Sequence, residues 1–274
     1  MMLGATVLAT SCLSEEHDLA APVQEQNNAQ GGKIVLSVNA ATEFGLQTRA
    51  LNEADYKNTA NYTVQIYDIN NPSTLLVNCK YSELDANMPN SFQPGTYTVK
   101  AFYGREQNYS RSEFYVTGEK SVTINAGDEV NVPLTCTPTC GKLSVVFDSK
   151  MADYYDHYDV AFSEAVAFSG GSIAWSATDN EPWYVKLNAE GETLRYTINV
   201  TAKDEYAYTD ANGNKQNTGT VSKTFGLERN KAYKLNVKPV YSPTEEGGLA
   251  ISIEIDEETN TPIDIPVVVP ISWL

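Results

Sequence analysis

From Lys33 onward the chain is written almost entirely in period two. In "KIVLSVN", Ile34, Leu36 and Val38 share one face; in "NYTVQIYDI" it is Tyr62, Val64 and Ile66; in "TYTVKAFY" it is Tyr97, Val99 and Ala101. "SVTINAG" continues with Val122 and Ile124, and "EVNVPLTC" with Val130, Val132, Leu134 and Cys136. Successive side chains of a strand point to opposite faces, so this alternation marks strands with one buried face. The runs are separated by "DINNPST", "MPNSFQPG", "TGEK" and "NAGDE", where Pro and Gly supply the torsions of a reversal.

A second series follows "TPTCG". Leu143, Val145 and Phe147 alternate, then come "YDVAF", "SIAW" and "WYVKL". Leu194, Tyr196, Ile198 and Val200 line one face, as do Tyr233, Leu235 and Val237, and Leu249, Ile251, Ile253 and Ile255. Only "MADYYDHY" suits a short helix. No helical run alternates with the strands, which disfavours a parallel sheet with crossover helices. The expectation is an all-β chain of two tandem Ig-like antiparallel sandwiches, each of roughly seven strands. The division falls near Pro138 to Gly141, giving residues 33–139 and 140–274. The last segment, "TPIDIPVVVPISWL", is broken by Pro262, Pro266 and Pro270. Proline donates nothing to a ladder, so this is an edge strand, or one offered to another subunit by β-augmentation.

Composition narrows the partners. The formal net charge of −16 and pI near 4.5 exclude a nucleic-acid partner and an anionic-membrane surface, both of which need a basic patch. No run of eighteen apolar residues offers a spanning helix. Residues 1–11, "MMLGATVLATS", are apolar and end in small residues, as a signal peptide does. The basic start of a signal is missing, which a start codon placed too late would explain. After Cys12, "LSEEHDLAAPVQEQNNAQGG" is polar and without period, so residues 12–32 read as a flexible tether.

The chemistry-bearing residues are few. Of the four cysteines, Cys79 shares parity with Leu75 and Val77, and Cys136 with Leu134, so both are expected to point inward. They are buried thiols, or a Cys79–Cys136 bridge in an oxidising compartment; Cys140 completes the set. "CTPTC" has no second ligand pair for zinc. His157 sits among Asp153, Asp156 and Asp159, a set that reads as a solvated acidic surface rather than a cation site. "SGGS" at 169–172 is a loop signature and not a nucleophile elbow. "DANGNK" starts like a calcium loop, but Lys215 and Val221 stand where Gly and Glu are needed, so Asn212-Gly213 reads as a hairpin tip. Trp175, Trp183 and Trp273 are the candidates for stacking on sugar rings, against the plainer reading of aromatics as strand core. No nucleophile–base pair, metal set or phosphate loop emerges, so the expectation is no enzyme, no metal and no cofactor.

Four resemblances add to this. "LATSC" followed by "SEEHD" resembles a bacterial lipoprotein signal and the acidic export signal of Bacteroidetes surface lipoproteins. The resemblance implies cleavage before Cys12, lipid attachment at Cys12, and placement at the outer membrane facing the exterior. "FQPGTYTVKAFYG", "YVTGEKSVTINAGDEVNVPLTCT", "GKLSVVF", "YYDHYDVAF" and "TFGLERNKAYKLNV" resemble a Bacteroidetes lipoprotein family catalogued only as a domain of unknown function. "PGTYTVKA" is also similar to a turn and strand of transthyretin-like and fimbrillin-like sandwiches. These imply a non-enzymatic surface or adhesion role with a protein or glycan partner. "LQTRALNE" resembles the segment that fimbrillins have cleaved after an Arg, which would make Arg49 a maturation site and the chain a fimbrial subunit or tip adhesin. A glycan-binding lipoprotein of a polysaccharide uptake system is the third expectation.

Overall fold

The computed structural model describes residues 30–42, 44, 51–209, 212–240, 250–257 and 263–265. Among these residues the chain is all-β. The first strands are β1 (Lys33–Ala40), β2 (Thr63–Asp68), β3 (Leu75–Lys80), β4 (Gly95–Tyr103), β5 (Tyr109–Ser110), β6 (Val116–Ile124) and β7 (Glu129–Pro138). All but β5 form one six-stranded sheet in the order β1-β7-β6-β4-β2-β3. The alternating residues face its core: Tyr62, Val64, Ile66, Val99, Ala101, Val132 and Leu134 are buried there. Val77 is buried, but Cys79 is only half-buried and Leu75, expected on the same inward face, is exposed; the β2–β3 register shifts between the pairings of Val77 and Leu75.

This sheet rolls up. The Tyr81 hydroxyl, just past β3, donates to Leu36 O (3.4 Å) and accepts from Val38 N (3.4 Å) on β1, the opposite edge. β6 and β7 pair at Val116↔Pro138 and Thr117↔Thr137, beside Gly118. A Cβ on Gly118 would lie 2.5 Å from Thr135 O, so only glycine fits the close crossing.

The remaining strands are β8 (Cys140–Phe147), β9 (Tyr155–Ser163), β10 (Ser172–Ser176), β11 (Trp183–Lys186), β12 (Glu192–Ala202), β13 (Tyr208–Thr209), β14 (Lys215–Gln216), β15 (Thr218–Leu227), β16 (Ala232–Val240), β17 (Ala250–Glu257) and β18 (Ile263–Ile265). A four-stranded sheet, β10-β9-β12-β15, packs on a six-stranded one, β18-β17-β16-β8-β11-β5. Between them lie Phe162, Trp175, Tyr196, Ile198, Val145, Leu235 and others. β13 and β14 pair antiparallel across the Asn212-Gly213 tip, the hairpin expected there. The helix expected in "MADYYDHY" stops after one turn, Met151–Tyr154, and β9 takes the rest. β18 is the edge strand expected of the C-terminal segment; residues 266–274 lie outside the described residues.

Two departures from purely antiparallel pairing stand out. β1 runs parallel to β7 and β16 parallel to β8. Also, β5 leaves the neighbourhood of β4 and β6 in sequence and pairs with β11, so the loop between β4 and β6 contributes to the later sheet. β8 and β11 are consequently buried on both faces. Leu143, Val145 and Val185 face the second core, while Cys140 and Tyr184 face the first.

Candidate functional site

A cleft of about 370 Å³ lies where β5, the end of β11 and two turns meet. One lip is the turn Val166–Phe168 between β9 and β10. Two non-glycine residues with left-handed torsions bracket it, Glu164 (φ 71°) and Ser169 (φ 50°). Such torsions persist only where surroundings hold them. Here the Glu164 carboxylate accepts from Arg195 Nε at 2.6 Å. The other lip is the turn from Leu187 to Gly191, which reverses through Gly191 at φ 80°.

One carboxylate ties the lips together. Glu192 Oε1 accepts from Asn188 N and Oε2 from Val166 N, each at 2.9 Å. The back wall is fastened in the same way: Arg229 Nε donates to Leu187 O at 2.8 Å, and Lys186 N to Asn108 O at 2.9 Å. Lys186 Nζ pairs with Glu106 at 2.8 Å. Nearly all these bonds engage backbone, so they fix the shape of the recess. The side-chain amides of Asn108 and Asn188 and the hydroxyl of Ser169 line it without a recorded partner among the described residues. Val166, 69% exposed, supplies an apolar edge. A shallower recess of about 250 Å³ adjoins it at Glu192 and carries Glu190, Glu228 and Thr193.

Of the tryptophans expected to stack on sugars, the two among the described residues are both engaged within the protein. Trp175 is 1% exposed, and its Nε1 donates to Glu181 O at 2.7 Å. Trp183 is roofed by the Arg111 guanidinium, 4.5 Å from its ring centre, a cation–π contact. Arg111 is itself held by two 2.6 Å bonds to the Asp179 carboxylate. Burial works to raise the Asp179 pKa, but the bonds from Arg111 and from Glu181 N outweigh it and the net shift is downward. Trp175 thus takes the plainer strand-core alternative. Trp273 lies outside the described residues, as do Cys12, His17 and Arg49.

Cys79, Cys136 and Cys140 are free thiols, so no Cys79–Cys136 bridge forms. The Cys136 thiol donates to Ala101 O at 3.5 Å, and burial pushes its pKa up to about 11 against a bond from Gly118. Protonated and enclosed, it behaves as a small hydrophobe. His157 Nε2 lies 3.1 Å from Asp159 Oδ1 on the outer face of β9. Among the described residues no group of His, Cys, Asp and Glu is placed to hold a metal ion.

A buried polar cluster went unseen in the sequence. Lys142 is 1% exposed and Glu53 6%, with Nζ and Oε1 2.8 Å apart. The Tyr184 hydroxyl donates to the same Oε1 at 2.5 Å. Lys142 occupies the second buried face of β8, while Glu53 opens the 3-10 turn Glu53–Lys57. Around them Phe114 stacks on Tyr184 and Tyr56, and Phe44 meets Phe114 edge-on. The cluster joins the segment before β2 to β8 and β11. Its mutual pairing and its burial make it a structural clamp.

A family model described as "Domain of unknown function (DUF4493)" matches residues 30–271. No curated protein matches the chain in sequence. Among solved structures, a fimbrial assembly protein from Parabacteroides distasonis is 10% identical with a TM-score of 0.43, covering 83% of this chain and 97% of its own. The fimbrial anchor protein Mfa2 from Porphyromonas gingivalis is 12% identical with a TM-score of 0.38, covering 85% of this chain and 99% of its own.

Proposed function

The chain belongs to the DUF4493 family, and we propose that this member is a non-enzymatic, lipid-anchored surface protein that binds a protein or glycan partner. Lipid on Cys12 holds it at the outer membrane, facing the exterior, with residues 1–11 removed. Residues 12–32 form the tether, and 33–139 and 140–274 are two sandwiches. A tether of this length and composition reaches about 25 Å. More than one acyl chain on Cys12 anchors firmly, since each buried methylene contributes about 0.8 kcal/mol.

The observation that carries the binding reading is the cleft. Its backbone is locked by Glu192, Arg229 and Lys186, while Asn108, Asn188 and Ser169 on its lining have side chains with no hydrogen-bond partner among the described residues. Rigid walls lined with hydrogen-bonding groups recognise a ligand at low ordering cost. Fractionation tests the anchor: a Cys12→Ala protein leaves the membrane fraction, and unchanged retention rejects the reading.

A second reading, a fimbrial subunit or tip adhesin, is favoured by the place of β1. It is an edge strand, parallel to β7, and the chain following it contains Arg49. Cutting after Arg49 would leave β1 held only by its ladder to β7, its Tyr81 bonds and the packing of Ile34 and Leu36, and its loss would open a groove for a neighbour's strand. Ladders of polymer on gels, lost on changing Arg49 or residues 262–274, support this reading; monomer throughout rejects it.

A further inference from the structure

We propose that the cleft at Glu192 takes a neutral oligosaccharide, bound through its hydroxyl groups. This rests on the reading of the cleft as a binding site and names its ligand class. The argument is one of charge and of donor–acceptor balance. The larger recess presents donors: the Asn108 and Asn188 amides, and Arg229, whose Nε alone is spent on Leu187 O. The adjoining recess presents the carboxylates of Glu190 and Glu228. Glu192 stands where the two meet.

A ligand lying across this junction meets guanidinium and carboxylate within one short path. An anionic ligand would be met favourably at Arg229 and repelled by three carboxylates. A cationic ligand would be met by Glu190 and Glu228 in the adjoining recess but repelled by Arg229 in the larger one, where Glu192 has already spent both oxygens on backbone N–H groups. Lys186 adds little to either balance, because Glu106 already pairs it at 2.8 Å. A hydroxyl group both donates and accepts, so a polyol satisfies both ends without a charge mismatch. Side-chain amides act in the same double manner. The exposed side chain of Val166 gives the C–H face of a sugar ring something apolar to lie on. The main volume, about 370 Å³, falls within the range of small-molecule sites, and the adjoining recess extends it as a chain of sugars requires.

Preorganisation strengthens the assignment. Two left-handed non-glycine residues, Glu164 and Ser169, hold one lip in place, and Glu192 spends both oxygens on holding the lips together. Strained backbone of this kind gathers at sites that grip ligands.

The test is binding of the full-length, detergent-solubilised protein to cellohexaose, maltohexaose, xylohexaose and mannohexaose, with hexagalacturonate as the charged comparison. The expected result is saturable binding of at least one neutral hexaose, stronger than that of hexagalacturonate. An Asn108→Ala/Asn188→Ala variant should bind at least tenfold more weakly with an unchanged melting temperature, since both side chains are exposed and unpartnered. No binding to any of the four, preference for hexagalacturonate, or full binding by the variant would overturn the proposal. Retention in the membrane through Cys12 is measured separately, so a failed ligand assignment is distinguishable from a failed anchor.

Discussion

Lys142 and Glu53 show what a single buried pair contributes. Each would be costly to bury alone, and the Tyr184 hydroxyl completes the set. Removing one partner strands the other charge, so Lys142→Ala should lower unfolding stability by about 3–5 kcal/mol in urea titration. Replacing both, as Lys142→Met with Glu53→Leu, should recover most of that loss. Equal losses in single and double variants would show that packing, not charge, dominates. Asp179 makes a pH prediction. Its folded pKa lies below the ordinary 3.8, held down by Arg111, so the stability it adds is present above that value. It is lost as pH falls through the folded pKa. Asp179→Asn should therefore be less stable than the native chain at pH 7, and the gap should narrow below about pH 4 in acid-unfolding curves. Lys142 itself was not legible in "GKLSVVF". A lysine in a strand reads as solvent-facing, and nothing local says that β8 has two buried faces.

At the scale of elements, alternation located most strands because each buries one face against one core. Tyr62, Val64 and Ile66, or Leu194 through Val200, are buried as their parity predicts. It failed where that premise failed. β8 and β11 are buried on both sides, β5 is too short to show a period, and the parallel pairings β1–β7 and β16–β8 join segments far apart in sequence. The cleft was illegible for the same reason. Asn108, Val166, Asn188 and Arg229 come from four separate turns, and only the assembled sheets bring them together. The crossing at Gly118 gives the prediction for this scale. A Cβ there would meet Thr135 O at 2.5 Å, so Gly118→Ala must push β6 and β7 apart. Its expected cost is about 1–3 kcal/mol in thermal or urea unfolding. No loss would mean that the strands cross less tightly than described.

For the whole molecule, the parts divide the work. Two cores share the sheet that contains β8 and β11, so the cleft on that sheet's β5 edge is braced from both halves. The strong negative charge keeps such a surface soluble and discourages binding to anionic lipid or nucleic acid. The proposed attachment to a cell runs instead through lipid on Cys12, ahead of the first strand. The central claim is a lipid-held binding protein, and the mass of its N-terminal peptide tests that most directly. Mass spectrometry of protein taken from native membranes should find a mature chain that begins at Cys12 and carries acyl chains on it. An unmodified Cys12, or a chain still bearing residues 1–11, would contradict the account.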